Sequence, residues 1–216
     1  MKPYYQKGDQ TIYNGDCLEV MKSFPDKSFD LVLTDPPYGI NADKGVGGFG
    51  VSRETARHYE DNWDSKTPEQ EVFDEIIRVS NSAIIFGGQF FTDKLPVNGH
   101  WIVWDKVGGV KFDNPFGDCE LAWTNINKKS VKKYICIQQG FVSEEKERSH
   151  PTQKPVRVFG SIIQDLKEIN TILDPFMGSG TTLVAAKQLG RKATGIEISH
   201  KYCDIAVDRL KQDLLF

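Results

Sequence analysis

The sequence predicts an α/β protein built on a mostly parallel sheet with helices on both faces, and three stretches carry that prediction. Leu31 to Leu33, led in by Phe29, is an apolar run of the kind a strand buried on both faces requires, and it stops abruptly at Asp35-Pro36-Pro37-Tyr38. Thr171-Ile172-Leu173, a glycine-bearing turn through Thr182 and the helical stretch Leu183 to Leu189, closed by Gly190, form a strand–turn–helix unit. Ala193 to Glu197 reads as the next strand and ends on a carboxylate.

In chain order, Thr11 to Tyr13 is expected as a short strand, Asn14-Gly15-Asp16 as a tight turn, and Cys17 to Ser23 as a helix that Asp16 can cap. Residues 41–64 lack periodicity and carry Gly45, Gly47, Gly48 and Gly50, which predicts a long mobile loop over a site. Thr67-Pro68-Glu69 begins a helix with proline at its first position, running to Val79 with Val72, Phe73, Ile76 and Ile77 on one face. Ala83 to Phe86 is the next buried strand, and Gly87-Gly88-Gln89 turns the chain into a short helix ending near Pro96. Trp101 to Trp104 and Cys119 to Trp123 are further strands, the second with Glu120 in it. Lys128 to Tyr134 is the most basic stretch, Glu144 to Arg148 a charged linker, and a helix enters at Pro155.

Composition narrows the function classes. The 216 residues, 39% hydrophobic and 26% charged, suffice for one good core, so a single domain over 1–216 is expected. No apolar run approaches the ~18 residues of a membrane span, and residues 1–16 have no signal-peptide core, so a soluble cytoplasmic chain with no membrane partner is expected. Cys17, Cys119, Cys136 and Cys203 show no metal-ligand spacing, which predicts free thiols and no metal. The net charge of −3 means that any nucleic-acid contact must come from a local basic patch.

Two stretches carry chemistry. Pro36 and Pro37 hold φ near about −65° and fix a rigid turn outside the carboxyl end of a strand, where open α/β sheets place their ligands. That turn holds one carboxylate, its neighbouring carbonyls and one aromatic ring, a set suited to a flat, amino-bearing ring. In Asp174-Pro175-Phe176-Met177-Gly178-Ser179-Gly180-Thr181-Thr182, the glycines let backbone approach a ligand and the helix N-terminus offers free N–H groups to an anion. Glu197 follows at close to the ~20-residue spacing at which an acidic residue grips ribose hydroxyls. An adenosine-bearing ligand is expected. With two of the three glycines that a dinucleotide turn carries, S-adenosylmethionine suits the site better than a dinucleotide.

Thr34-Asp35-Pro36-Pro37-Tyr38, His150-Pro151-Thr152-Gln153-Lys154-Pro155 and the 174–182 turn, in that order, resemble the beta group of amino-methylating DNA methyltransferases. In that group the catalytic motif precedes the cofactor motif, and the resemblance covers the chain from Asp16 to Tyr202. It implies a Rossmann-like class I methyltransferase fold with permuted motif order, S-adenosylmethionine as cofactor and DNA as partner in a bacterial or phage-type enzyme. Asp35, Pro36, Pro37 and Tyr38 would be catalytic, with Asp35 also beside the cofactor. Phe176, Gly178, Gly180 and Thr182, with Ser179 and Thr181 in the same turn, would surround the methionine part and Asp174 its amino group. Thr152, Gln153 and Lys154 would meet its carboxylate, Glu197 the ribose, and Asp16 and Cys17 the adenine.

The resemblance implies adenine N6 as target, because Asp at position 35 is commoner in that branch, where Ser would point to cytosine N4. Cytosine N4, an RNA base or protein amide, and a partner subunit without catalysis stay open. Relatives carry a sizeable target-recognition region after the Glu120 strand, where this chain has only residues 124–149, so a short site, relaxed specificity or help from a homodimer or partner subunit is expected. Lys44, Arg53, Arg57, Lys128, Lys129, Lys132 and Lys133 are the candidate phosphate contacts.

Overall fold

The computed structural model describes residues 1–40, 64–110, 117–126, 130–139, 142–143 and 153–212. The first half supplies β1 (Tyr5–Lys7), β2 (Gln10–Asn14), α1 (Cys17–Met21), β3 (Phe29–Thr34), α2 (Gln70–Val79) and β4 (Ser80–Phe86). A 3-10 turn at Gly88–Phe90 leads on to β5 (Trp101–Asp105), β6 (Cys119–Thr124) and β7 (Lys132–Ile135). The short strands β8 (Gln138–Gln139) and β9 (Val142–Ser143) pair only with each other among the described residues. The last part is α3 (Val156–Asp165), β10 (Thr171–Asp174), α4 (Thr181–Gln188), β11 (Lys192–Glu197) and α5 (His200–Lys211).

The main sheet runs in the order β1-β2-β11-β10-β3-β4-β6-β5-β7. Its centre, β2-β11-β10-β3-β4, is parallel throughout. Antiparallel pairing is confined to β1 with β2 and to β6 with both its neighbours. The crossover from β3 through α2 leads to β4 on one side, whereas that from β10 through α4 leads to β11 on the other. The crevice between the carboxyl ends of β3 and β10 is therefore the point where the winding reverses, and ligands bind there in such sheets.

Alternation along the strands divides the core. Leu31 and Leu33, with Ile84, Phe86 and Ile172, pack under Phe159, Ile162, Leu183 and Cys203 of α3, α4 and α5. Val32, Ala83, Ile85, Leu173 and Ile196 point the other way, onto Val20 and Met21 of α1 and Phe73 and Ile76 of α2. Both faces are covered, which is why these strands read as continuous apolar runs.

Two local expectations, the start of α2 and a helix after Gly87, are corrected. Helix α2 starts at Gln70 with Glu69 as its cap, so Pro68 lies outside it. Lys94 Nζ donates to the Pro68 carbonyl at 2.6 Å and the Thr67 hydroxyl at 2.9 Å, holding that pair out of the helix. After Gly87 the chain makes only the 3-10 turn and a second turn at Phe91, not a helix reaching Pro96. Lys132 and Lys133 belong to β7 and are engaged in ion pairs, with Asp165 at 3.0 Å and Asp105 at 3.1 Å. Among the described residues no helix is long and apolar enough to cross a membrane, and no group of side chains forms a metal cluster.

Candidate active site

A cavity of about 630 Å³ opens at the carboxyl ends of β3, β10 and β11, lined by Asp16, Cys17, Asp35 to Tyr38, Gln153, Lys154, Asp174 to Ser179, Thr181, Thr182 and Glu197. Pairing of β10 with β3 and β11 brings the strand ends together, although Asp35, Asp174 and Glu197 are far apart in sequence. The Thr34 hydroxyl donates to Asp174 Oδ1 at 2.7 Å, tying the two strand ends directly. Asp174 also accepts from the Thr182 hydroxyl at 2.5 Å and the Phe176 N–H at 3.1 Å. Burial dominates over these bonds and pushes its carboxyl up to about 6.

The glycine turn is braced from β11. Glu197 accepts the Gly178 N–H at 3.0 Å on one oxygen and the Ser199 N–H at 2.8 Å on the other. Its pKa is raised by burial, against those N–H bonds, and the remaining lone pairs are free to take hydroxyl donors from the cavity. Gly180 does not line the cavity: it caps α4 at φ +80°, and a Cβ there would stand 2.9 Å from Cβ of Ala206 in α5. Its glycine is required by helix packing rather than by close approach to a ligand. Asp16 both caps α1, accepting the Glu19 N–H at 3.1 Å, and faces the cavity. The neighbouring Cys17 thiol is pushed up to about 12 by burial, so it stays neutral.

The Asp-Pro-Pro-Tyr turn is held by groups from three other parts of the chain. The buried Asp64 carboxylate accepts the N–H groups of Tyr38 at 2.6 Å and Gly39 at 2.9 Å. Asp35 accepts from the Tyr38 hydroxyl on Oδ1 and from Lys154 Nζ at 2.6 Å on Oδ2. The Lys154 ammonium also lies 3.2 Å from Glu120 Oε2, whose other oxygen is 3.2 Å from Lys106 Nζ. Burial raises the Asp35 pKa, against the pull of Lys154. The Tyr38 ring stacks on Phe90 with centroids 5.0 Å apart, and Gly87, at φ +68°, leaves the room that the ring occupies.

Most residues expected at the site converge on this cavity. Lys154, expected at a ligand carboxylate, instead turns its ammonium to Asp35 and Glu120. Tyr38, expected to offer a stacking face, has Phe90 against it. Thr152, Lys44, Arg53, Arg57, Lys128 and Lys129 lie outside the described residues, as does most of the 41–64 loop. Asp64, Glu120 and Phe90 were not singled out in the sequence. Glu120 carried a signal, a charge inside an apolar strand, which demands a buried partner.

The donor set fits S-adenosylmethionine. Carboxylates at Asp16 and Glu197 suit ribose and amino donors, Asp174 suits a cation, and Phe176 gives an apolar wall. Among solved structures, the chain is similar to the PvuII DNA methyltransferase, cytosine-N4-specific, at TM-score 0.64 and 16% identity over 100% of this chain and 91% of that one. It is also similar to the M1.HpyAVI–S-adenosylmethionine complex, at TM-score 0.58 and 21% identity over 94% and 100% of the two chains. The architecture is thus that of these methyltransferases.

The family model described as DNA methylase (N6_N4_Mtase) matches residues 98–208. The chain is 28% identical to the Type II methyltransferase M.HinfI of Haemophilus influenzae, over 94% of this chain and 68% of the relative. It is 27% identical to M.ScaI of Streptomyces caespitosus, over 98% and 84%. The chain belongs to the N6/N4 DNA methylase family.

Proposed function

We propose that this DNA methyltransferase acts on the exocyclic N6 amino group of adenine, as a single catalytic domain with a reduced recognition segment at 124–149. The observation that carries the reading is Asp35, a half-buried carboxylate fixed at the end of β3 on the wall of the cavity. An exocyclic amino group is a poor nucleophile because its lone pair is spread into the ring. Asp35 and the Pro36 carbonyl accept its two N–H bonds, draw the nitrogen toward a tetrahedral shape and aim the lone pair into the cavity. When bound, the cofactor supplies an electrophilic methyl on a sulfonium. The nitrogen gains that methyl and sheds one proton, which the Asp35 carboxylate receives and passes to solvent. Positioning and preorganised charge supply the catalysis, with no covalent enzyme intermediate.

A stacked base cannot reach this crevice, so it leaves the duplex. Phe90, 39% exposed, covers the Tyr38 ring, and the base gains that ring where Phe90 swings aside. The test is nucleoside mass spectrometry of DNA methylated by the purified enzyme. N6-methyladenine supports the reading; N4-methylcytosine overturns the choice of base while leaving the chemistry.

A further inference from the structure

We propose that Glu120 is a positioning residue for methyl transfer, which holds the Lys154 ammonium beside Asp35 and receives it when the target amino group arrives. This rests on Asp35 as the acceptor of that amino group.

Glu120 sits on β6 opposite Trp104 of β5, outside the cavity lining, and although the side chain is only half-buried its Oε2 atom is shut away from solvent. Burying a carboxylate costs several kcal/mol unless it is paired, so the position demands a compensating role. The compensation is an alternating row: Asp35, Lys154, Glu120, Lys106, with contacts of 2.6, 3.2 and 3.2 Å. Formal charge over the four groups cancels. Lys154 spends its best hydrogen bond on Asp35, while Glu120 Oε2, though only 3.2 Å away, makes no properly directed hydrogen bond. An acceptor is therefore kept in reserve beside the ammonium. The rings of Tyr38 and Phe86 flank the ammonium at 5.4 and 5.9 Å, leaving the line between the two carboxylates as its path.

Both Asp35 oxygens are engaged in this arrangement, by Tyr38 and by Lys154. A target amino group needs one of those acceptor sites. A pivot of Lys154 onto Glu120 opens it while the positive charge stays near enough to keep Asp35 ionised. The direction of each titration agrees. Burial would neutralise Lys154, but Asp35, Glu120 and the Tyr38 hydroxyl hold its pKa well above the ordinary value. Burial likewise opposes ionisation of Glu120, and Lys154 with Lys106 overcomes it. The charged groups facing Asp35 are Lys154, Glu120 and, across the crevice, Asp174.

The test compares the pH dependence of kcat on unmethylated genomic DNA for wild type, Glu120→Gln, Lys154→Met and the double variant. Glu120→Gln is expected to lower kcat by about tenfold or more, the worth of a hydrogen bond to a charged group. It should also move the acid limb to lower pH, because a negative charge near Asp35 is gone. Lys154→Met should move that limb to higher pH, since the cation between the two carboxylates is then gone. Adding Glu120→Gln to Lys154→Met should recover part of the rate and bring the limb back down. Calorimetric affinity of Glu120→Gln for S-adenosylmethionine should match wild type. A uniform loss with an unmoved limb, or no recovery in the double variant, overturns the proposal. Asp35→Asn is the control: wild-type rate in that variant overturns the Asp35 reading itself, a result distinct from either.

Discussion

At the scale of single residues, the site is a set of carboxylates given different tasks by their surroundings. Asp35 touches the Tyr38 hydroxyl and Lys154, and among the described residues its carboxylate takes no backbone N–H. Asp35→Ala is therefore expected to cut methyl transfer by more than about 100-fold, as lost preorganised acceptors do, while Lys154 stays paired with Glu120 and cofactor affinity is kept. Single-turnover transfer and calorimetry check the two halves; retention of a tenth of the rate would remove Asp35 from catalysis. Asp174 behaves differently. Its pKa, raised to about 6, lies above the ordinary value of 3.8, so it favours the fold fully at low pH and that contribution is lost as pH rises through about 6. A cation bound beside it reverses the shift. Binding of S-adenosylmethionine near pH 6 should release a fraction of a proton, release should vanish by about pH 8, and Asp174→Asn should abolish it. Calorimetry in buffers of different ionisation enthalpy measures this directly. Asp35, Asp174 and Glu197 were legible in the sequence because each is a polar residue closing an apolar strand. Lys154 with Glu120 was not, since the pair exists only because β6 runs antiparallel beside β4, a non-local choice that no short window records.

Elements carry a second kind of constraint. The glycine turn looks like a ligand cradle from its composition, yet its two glycines face different neighbours: Gly178 is bound to Glu197 at the cavity, and Gly180 is pressed against α5. Periodicity cannot tell these apart, because the distinction depends on where α5 crosses. Gly180→Ala combines an unfavourable φ of +80° with a Cβ contact at 2.9 Å, and a loss of roughly 1–3 kcal/mol is expected. Adding Ala206→Gly should return only the packing part. Urea unfolding of the two variants separates them: full recovery would mean that the left-handed backbone costs nothing, and none would mean that the Ala206 contact is harmless. The elements on the β3, β10 and β11 side follow their apolar patterns closely. The β5, β6 and β7 side does not, because half-buried antiparallel strands there place Lys132 and Lys133 on an edge where their ion pairs, not their charge run, decide what they do.

At the scale of the whole molecule, an acidic chain with a net charge of −3 has to hold a polyanion. Asp165 and Asp105 already offset two of the four lysines proposed for that task. Changing Lys128, Lys129, Lys132 and Lys133 together to Ser should therefore lower the salt slope of DNA binding by less than the about 0.9 per phosphate that four free contacts would give. An unchanged slope would assign DNA contact to other surfaces. The pairing of β2 with β11 has a further consequence, for synthesis on the ribosome. Gly15 donates its N–H to the Glu197 carbonyl at 3.0 Å, and Asn14 Nδ2 reaches the same carbonyl at 2.9 Å across 183 positions of sequence. The wall that Asp16 and Cys17 contribute thus waits for β11 to emerge. β2 has β1 beside it from the start but waits for β11 while the intervening residues are made, and loop closure of that length is slow. Nascent chains stalled before β11 has left the tunnel should retain no cofactor, whereas chains stalled after α5 should, which sets the moment at which this enzyme first meets its methyl donor.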